Sequence, residues 1–168
     1  ILGTLSGNLS ALVIIVASSL VGFVSLEAST LTFVILAYLL YVLVFLLNFS
    51  TKPVKDNPFC QHLSNHEFEV FKKYHLFLWF PGAAEAISAL LNALRVAGFI
   101  WGCLCLWNGL YWLAGLSITY FFITGGLILK LNPRLYLSAG AQKGDQFSMD
   151  QILLIERVRE KREMYNIE

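Results

Sequence analysis

Apolar residues dominate two long stretches of the chain, each followed by a polar one. Leu9–Leu26 and Thr30–Asn48 are nearly unbroken apolar runs, separated by Glu27-Ala28-Ser29. Lys52, Pro53, Lys55, Asp56 and Pro58 then break the pattern, because proline ends a helix and clustered charge returns the chain to water. The next apolar stretch, Leu76–Leu131, is 56 residues long. A bilayer core about 30 Å thick takes roughly 20 apolar residues of helix, so this stretch is too long for one crossing and suits two. Pro81-Gly82 marks the start of a third span, and Trp107-Asn108-Gly109 marks the turn to a fourth. The pattern predicts spans over 9–26, 30–48, 83–106 and 110–131, with a tight hairpin tip at 27–29.

Two further segments have helical spacing without the length to cross. In Asn65–Phe80, the side chains Phe68, Phe71, Tyr74, His75 and Leu78 share one face, with Glu67, Glu69, Lys72 and Lys73 mostly elsewhere. An amphipathic helix lying in the headgroup layer is expected there. Ser148-Met149-Asp150-Gln151 resembles a capping box, predicting a helix from Met149 to about Tyr165. Its first half is apolar and its second half charged, which suits a solvated helix resting on the membrane or on the 50–75 loop, or a docking helix for a soluble partner.

Composition sharpens this picture. Of the 168 residues, 57% are hydrophobic and 14% charged, against about 25% charged in ordinary soluble domains. Mean hydropathy is +0.66. That mixture excludes disorder, a collagen-like fibre and a disulfide scaffold. Residues 1–50 hold one charged side chain, Glu27, residues 76–131 hold three, and residues 132–168 hold twelve. The expectation is an all-α membrane protein: four transmembrane helices in two hairpins, an interfacial amphipathic helix and a cytosolic C-terminal helix. The organisation follows as a first hairpin over 1–49, a loop with the interfacial helix over 50–80, a second hairpin over 81–131 and a tail over 132–168.

Lys and Arg set the expected orientation. With four spans, eleven of the twelve basic residues share the side of both termini and the 50–75 loop, and the hairpin tips hold none. Both termini are therefore expected on the cytoplasmic side, or the matrix or stromal side of an organelle. Trp101, Trp107, Tyr111 and Trp112 gather at one interface and Tyr74, Trp79 and Phe80 at the other, the depth that amphipathic rings prefer. A cleaved signal peptide is not expected, since no basic region precedes the first run and a second run follows directly.

The twelfth basic residue, Arg95, lies inside a span. Glu85, Ser88, Asn92 and Arg95 are spaced i, i+3, i+7 and i+10 and fall within an arc of roughly 80° on the third helix. A second face carries Ala89, Ala93, Ala97, Gly98 and Gly102, small residues that let helices approach closely in lipid. Arg at mid-span costs about 2.5–3.5 kcal/mol on insertion scales and cannot shed its charge. Glu85 is roughly 15 Å along the axis, too far to pair directly. Ser117, Tyr120 and Thr124 repeat the same spacing on the neighbouring fourth helix, but hydroxyls cannot neutralise a guanidinium. Water or snorkelling, a partner's carboxylate, or a polar ligand such as a lipid phosphate or quinone is left to satisfy Arg95. The candidate ligand or partner contacts are Glu85, Ser88, Asn92, Arg95, Tyr120 and Thr124.

Other constellations are weaker. Cys60, His62 and His66 stand beside Glu67 and Glu69, but one cysteine and two histidines straddling an expected loop make an incomplete metal set, so no metal is expected. His75 reads as an interfacial side chain. No histidine lies within a span, which excludes a haem held between facing helices. Cys103 and Cys105 point in different directions on one helix and cannot form an unstrained disulfide. The sequons at Asn8 and Asn48 fall on the expected inner side or within a helix end. Phosphate-loop, zinc-protease and nucleophile-elbow motifs are missing from the sequence. Gly125-Gly126 suits close packing. The basic residues of the tail alternate with acids, a poor nucleic-acid footprint.

The leading expectation is a non-catalytic subunit, assembly factor or scaffold of a larger membrane complex. Its partners would be the lipid bilayer and other membrane subunits, or self-association through the third helix, with a soluble partner at the C-terminal helix. No cofactor is expected beyond a bound lipid or quinone. The alternatives are an oligomeric channel or carrier for an anionic or lipid substrate, and a lipid- or quinone-modifying enzyme using Glu85 as acid/base. The enzyme reading lacks a nucleophile, a metal set and a second carboxylate.

Overall fold

The computed structural model describes residues 25–51, 53 and 57–165, and the expected first span lies outside them but for its last two residues. The described residues form seven helices: α1 (Leu26–Ser50), α2 (Pro58–Gln61), α3 (Asn65–Trp79), α4 (Pro81–Trp107), α5 (Tyr111–Leu131), α6 (Arg134–Gln142) and α7 (Gln146–Tyr165). No strand occurs among them. Three helices, α1, α4 and α5, are long and apolar enough to cross a membrane. At about 1.5 Å per residue, even α5, with 21 residues, matches a hydrocarbon core of about 30 Å. The chain is thus all-helical and compatible with an integral membrane protein.

The expected tip at 27–29 is instead the first turn of α1. Ser25 accepts the amide of Ala28 on its hydroxyl and that of Ser29 on its carbonyl, at 3.2 and 3.0 Å. A serine cap with Glu27 in the first turn favours a helix N-terminus at that point. The turn between α4 and α5 falls at Asn108-Gly109 as the sequence predicts. Gly109 adopts φ +75°, and the amide of Leu110 closes onto the Cys105 carbonyl at 2.8 Å, the arrangement a glycine after a helix terminus supports.

The residues fall into two compact units, the first formed by residues through 46 with 86–128, the second by 47–85 with 129–168. In the first, Phe33, Val34 and Ala37 of α1 pack with Ala97 and Trp101 of α4 and Tyr120 of α5. The Phe33 and Trp101 rings lie 4.6 Å apart, and Phe33 meets Tyr120 edge-on at 6.4 Å. Tyr38 donates to the Leu116 carbonyl at 3.2 Å, tying α1 to α5. A Cβ on Gly102 would lie 2.7 Å from Ile118 Cγ1, so only glycine permits this approach of α4 to α5. On the opposite side of α1, Leu36, Leu39, Leu43 and Leu46 are exposed, an apolar surface suited to lipid.

The second unit has its own core. Phe68, Phe71, Tyr74 and Leu78 of α3 are buried with Phe59 and Cys60 of α2 and Ile155 and Val158 of α7. The apolar face of α3 is therefore covered by other helices of the chain. Ser64 caps α3 through a full capping box, accepting the Glu67 amide at 3.3 Å while the Glu67 carboxylate accepts the Ser64 amide at 2.7 Å. The helix departs from helical geometry at Tyr74 (φ −120°, ψ 25°), beside the Lys72 carbonyl that accepts from His75 Nδ1 at 3.2 Å. The C-terminal helix begins three residues before Met149. The Asp145 carboxylate accepts both the amide and the hydroxyl of Ser148, so Asp145 takes the capping role expected of Ser148. Helix α6, which has no counterpart in the sequence-based expectation, starts directly after Pro133.

Candidate functional site

Helix α4 carries Arg95 near its midpoint, and the side chain turns onto α5. Its guanidinium lies over the Phe121 ring, 4.1 Å from the centroid, and against Gly125, where a Cβ would meet Cζ at 3.6 Å. Phe121 and Gly125 are one helical turn apart, so one supplies the π face and the other the space that the flat group needs. Among the described residues Arg95 Nε is buried without a hydrogen-bond partner and Arg95 makes no ion pair. Residues 1–24 contain no acidic side chain.

The other stripe residues are placed differently. Ser88 is buried at 1% exposure and Asn92 is half-buried, both in the same unit as Arg95. Thr124 is fully buried but donates back to the Tyr120 carbonyl of its own helix at 2.6 Å. Tyr120 faces α1, its ring 5.4 Å from that of Tyr38. Among the described residues the hydroxyls of Tyr120 and Ser117 are buried without hydrogen-bond partners. The fourth-helix hydroxyls thus do not gather around Arg95; the residues beside it are Phe121 and Gly125. Phe121 and Gly125 stand one turn apart in the sequence, but nothing in that spacing ties them to Arg95.

The small face of α4 is used largely within the chain. Ala93, Ala97, Gly98 and Gly102 are buried, whereas Ala89 is exposed. Gly98 fits beneath the Phe33 ring and beside the Ser117 carbonyl.

Glu85 belongs to the second unit, where it lines a cleft of about 580 Å³ with Arg134, Arg159, Arg162 and Glu163. The arginines there are largely engaged. Arg162 donates to the Leu78 carbonyl and lies 5.3 Å from the Trp79 ring, Arg134 lies 5.5 Å from Phe77, and Arg159 pairs with Glu163 at 3.0 Å. In the same unit Lys161 of α7 pairs with the buried Glu67 of α3 at 2.7 Å. Burial pushes the Glu67 carboxyl up, but hydrogen bonds from Lys161 and Ser64 outweigh it and hold the group below the ordinary glutamate range.

Among the described residues no three His, Cys, Asp or Glu side chains come together as a metal site. Cys60 is buried in the α2–α3 core, where burial pushes its thiol up, and His62 stacks on Tyr165 with ring centroids 4.3 Å apart. His75 is buried, its Nε2 3.0 Å from the Thr51 hydroxyl. The chain matches no protein-family model, no curated protein and no solved structure.

Proposed function

We propose that this chain is a non-catalytic integral membrane subunit or scaffold that joins a larger complex by presenting Arg95 to a carboxylate on a transmembrane helix of a neighbouring chain. The observation that carries the reading is the state of Arg95. A permanently charged group near the middle of an apolar helix rests on an aromatic ring with its Nε unpaired. A cation–π contact contributes about 0.5–2 kcal/mol, less than the roughly 2.5–3.5 kcal/mol that mid-span arginine costs. A carboxylate hydrogen-bonded to the free edge of the guanidinium offsets the difference and fixes the register of two helices. In this reading the apolar run that begins at Leu9 and precedes α1 forms a further span, α3 lies at headgroup level, and the Lys- and Arg-rich segments face the cytoplasm, matrix or stroma.

The test is assembly size in mildly solubilised native membranes. The wild-type chain should migrate in a complex well above its own 18.9 kDa. Arg95→Leu should release it as a smaller species, while Arg95→Lys retains part of the complex. A wild-type chain that runs as a single copy, or an Arg95→Leu complex of unchanged size, contradicts the proposal.

A second reading, an oligomeric channel or carrier for an anionic or lipid substrate, is favoured by the unpartnered buried hydroxyls of Ser117 and Tyr120 on the helix beside Arg95. It requires that reconstituted protein pass an anion or lipid and that Arg95→Leu stop the flux with assembly intact.

A further inference from the structure

The second unit contains a cleft in which α1 and α5 end against α3 and α7. Its volume is about 380 Å³, within the roughly 300–1,000 Å³ of small-ligand sites. Asn48 comes from the last turns of α1 and Lys130 from the last turn of α5, while Glu69, Lys72 and Lys73 come from α3 and Gln151 from α7. Among the described residues, none of the three lysines sits in an ion pair. Lys73 has only a ring contact, its Nζ 5.0 Å from the Tyr74 centroid. Among the described residues Glu69 is the only carboxylate lining the cleft, so the three lysines leave a cationic excess of about two charges.

We propose that this cleft binds the headgroup of an anionic phospholipid. The ammonium groups of Lys72, Lys73 and Lys130 match a phosphate, and the amides of Asn48 and Gln151 and the Glu69 carboxylate match the hydroxyls of a glycerol-type headgroup. Two observations favour a lipid over a soluble phosphate. The cleft lies where two long apolar helices reach their polar ends, the depth at which headgroups are found. Val70 and Leu154 also line it, giving an apolar wall to the glycerol backbone and the first acyl carbons. Because α3 and α7 both contribute, a bound lipid would hold the C-terminal helix against the membrane-facing helix ends. The inference is independent of Arg95.

The test is native mass spectrometry of the full chain released from nanodiscs containing equal parts phosphatidylglycerol and phosphatidylcholine. The wild type should retain phosphatidylglycerol selectively. The triple variant Lys72→Gln, Lys73→Gln, Lys130→Gln should lose roughly tenfold or more of that selectivity. Arg157→Gln, an exposed basic position outside the cleft, should keep it. Lys130→Gln alone should give a smaller loss of the same sign, which keeps the test sound should the triple variant fail to fold. Equal retention of the two lipids by the wild type, or undiminished selectivity in the lysine variants, overturns the proposal. Displacement of the lipid by millimolar inorganic phosphate also overturns it, since it assigns the cleft to a soluble anion.

Discussion

The guanidinium of Arg95 lies 4.1 Å from the centre of the Phe121 ring, holding the charged side chain of α4 on the face of α5. The contact orients the arginine without neutralising it. It also fixes which edge of the group is left for a partner, because one flat face is covered by the ring and Gly125 limits how far the side chain can turn.

Replacing Phe121 with Leu should keep the apolar volume but remove the π face. Thermal unfolding in detergent should show a loss of about 0.5–2 kcal/mol, and Phe121→Trp should restore most of it. Equal stability of the Leu variant and wild type would mean that the ring merely fills space.

Gly102→Ala tests the close approach of α4 to α5. The added Cβ would fall 2.7 Å from Ile118 Cγ1, which forces a shift in a well-packed contact. Overpacking of this kind costs about 1–3 kcal/mol, measurable as a lower unfolding midpoint. Pairing it with Ile118→Ala, which removes the clashing Cγ1, should recover part of the loss, and a failure to do so would place the strain elsewhere.

The Lys161–Glu67 pair makes docking of the C-terminal helix sensitive to acid. The Glu67 carboxyl is held below its ordinary range in the folded chain, so the unfolded state binds the proton more readily. The contribution is fully present above the ordinary glutamate range and is lost as pH falls through the lowered value. Amide exchange over α7 should accelerate there, and Glu67→Ala should accelerate it already at neutral pH, by removing a charged hydrogen bond to Lys161 worth about 1.5–3 kcal/mol. A pH-independent exchange profile in the wild type would show that the apolar contacts of Ile155 and Val158 alone hold the helix.

The three long apolar helices were legible because they depend on run length. The turn at Asn108-Gly109 and the limits of α4 and α5 follow from apolar extent and a glycine that accepts positive φ. The start of α1 was misplaced because Glu27 looks like a hairpin tip, although a carboxylate also suits the first turn of a helix. Ser64 and Glu67 spell a capping box as clearly as Ser148 and Gln151 do, yet Pro58 and Ser64 suggest a loop on local grounds. At the other end, Asp145 takes the cap because its carboxylate reaches both donors of Ser148. The stripe from Glu85 to Arg95 is real as helical spacing. Spacing does not say which neighbour a side chain turns to, so Phe121 and Gly125 emerged only from the packing of α4 on α5.

Asp145→Ala should fray the start of α7, raising amide exchange over Gln146–Met149, whereas Asp145→Asn, which keeps an acceptor, should not. Identical exchange in the two variants would assign the helix start to the backbone closure of Asp145 onto Gly140 at 3.1 Å instead.

The most direct test of the central claim is a structure of the assembled complex isolated from its native membrane, read at Arg95. The account predicts a carboxylate oxygen from a transmembrane helix of a neighbouring chain at about 2.7–2.9 Å from a guanidinium nitrogen, with Phe121 still beneath the group. A guanidinium reaching only lipid headgroups or water, with no carboxylate from another chain beside it, would contradict it.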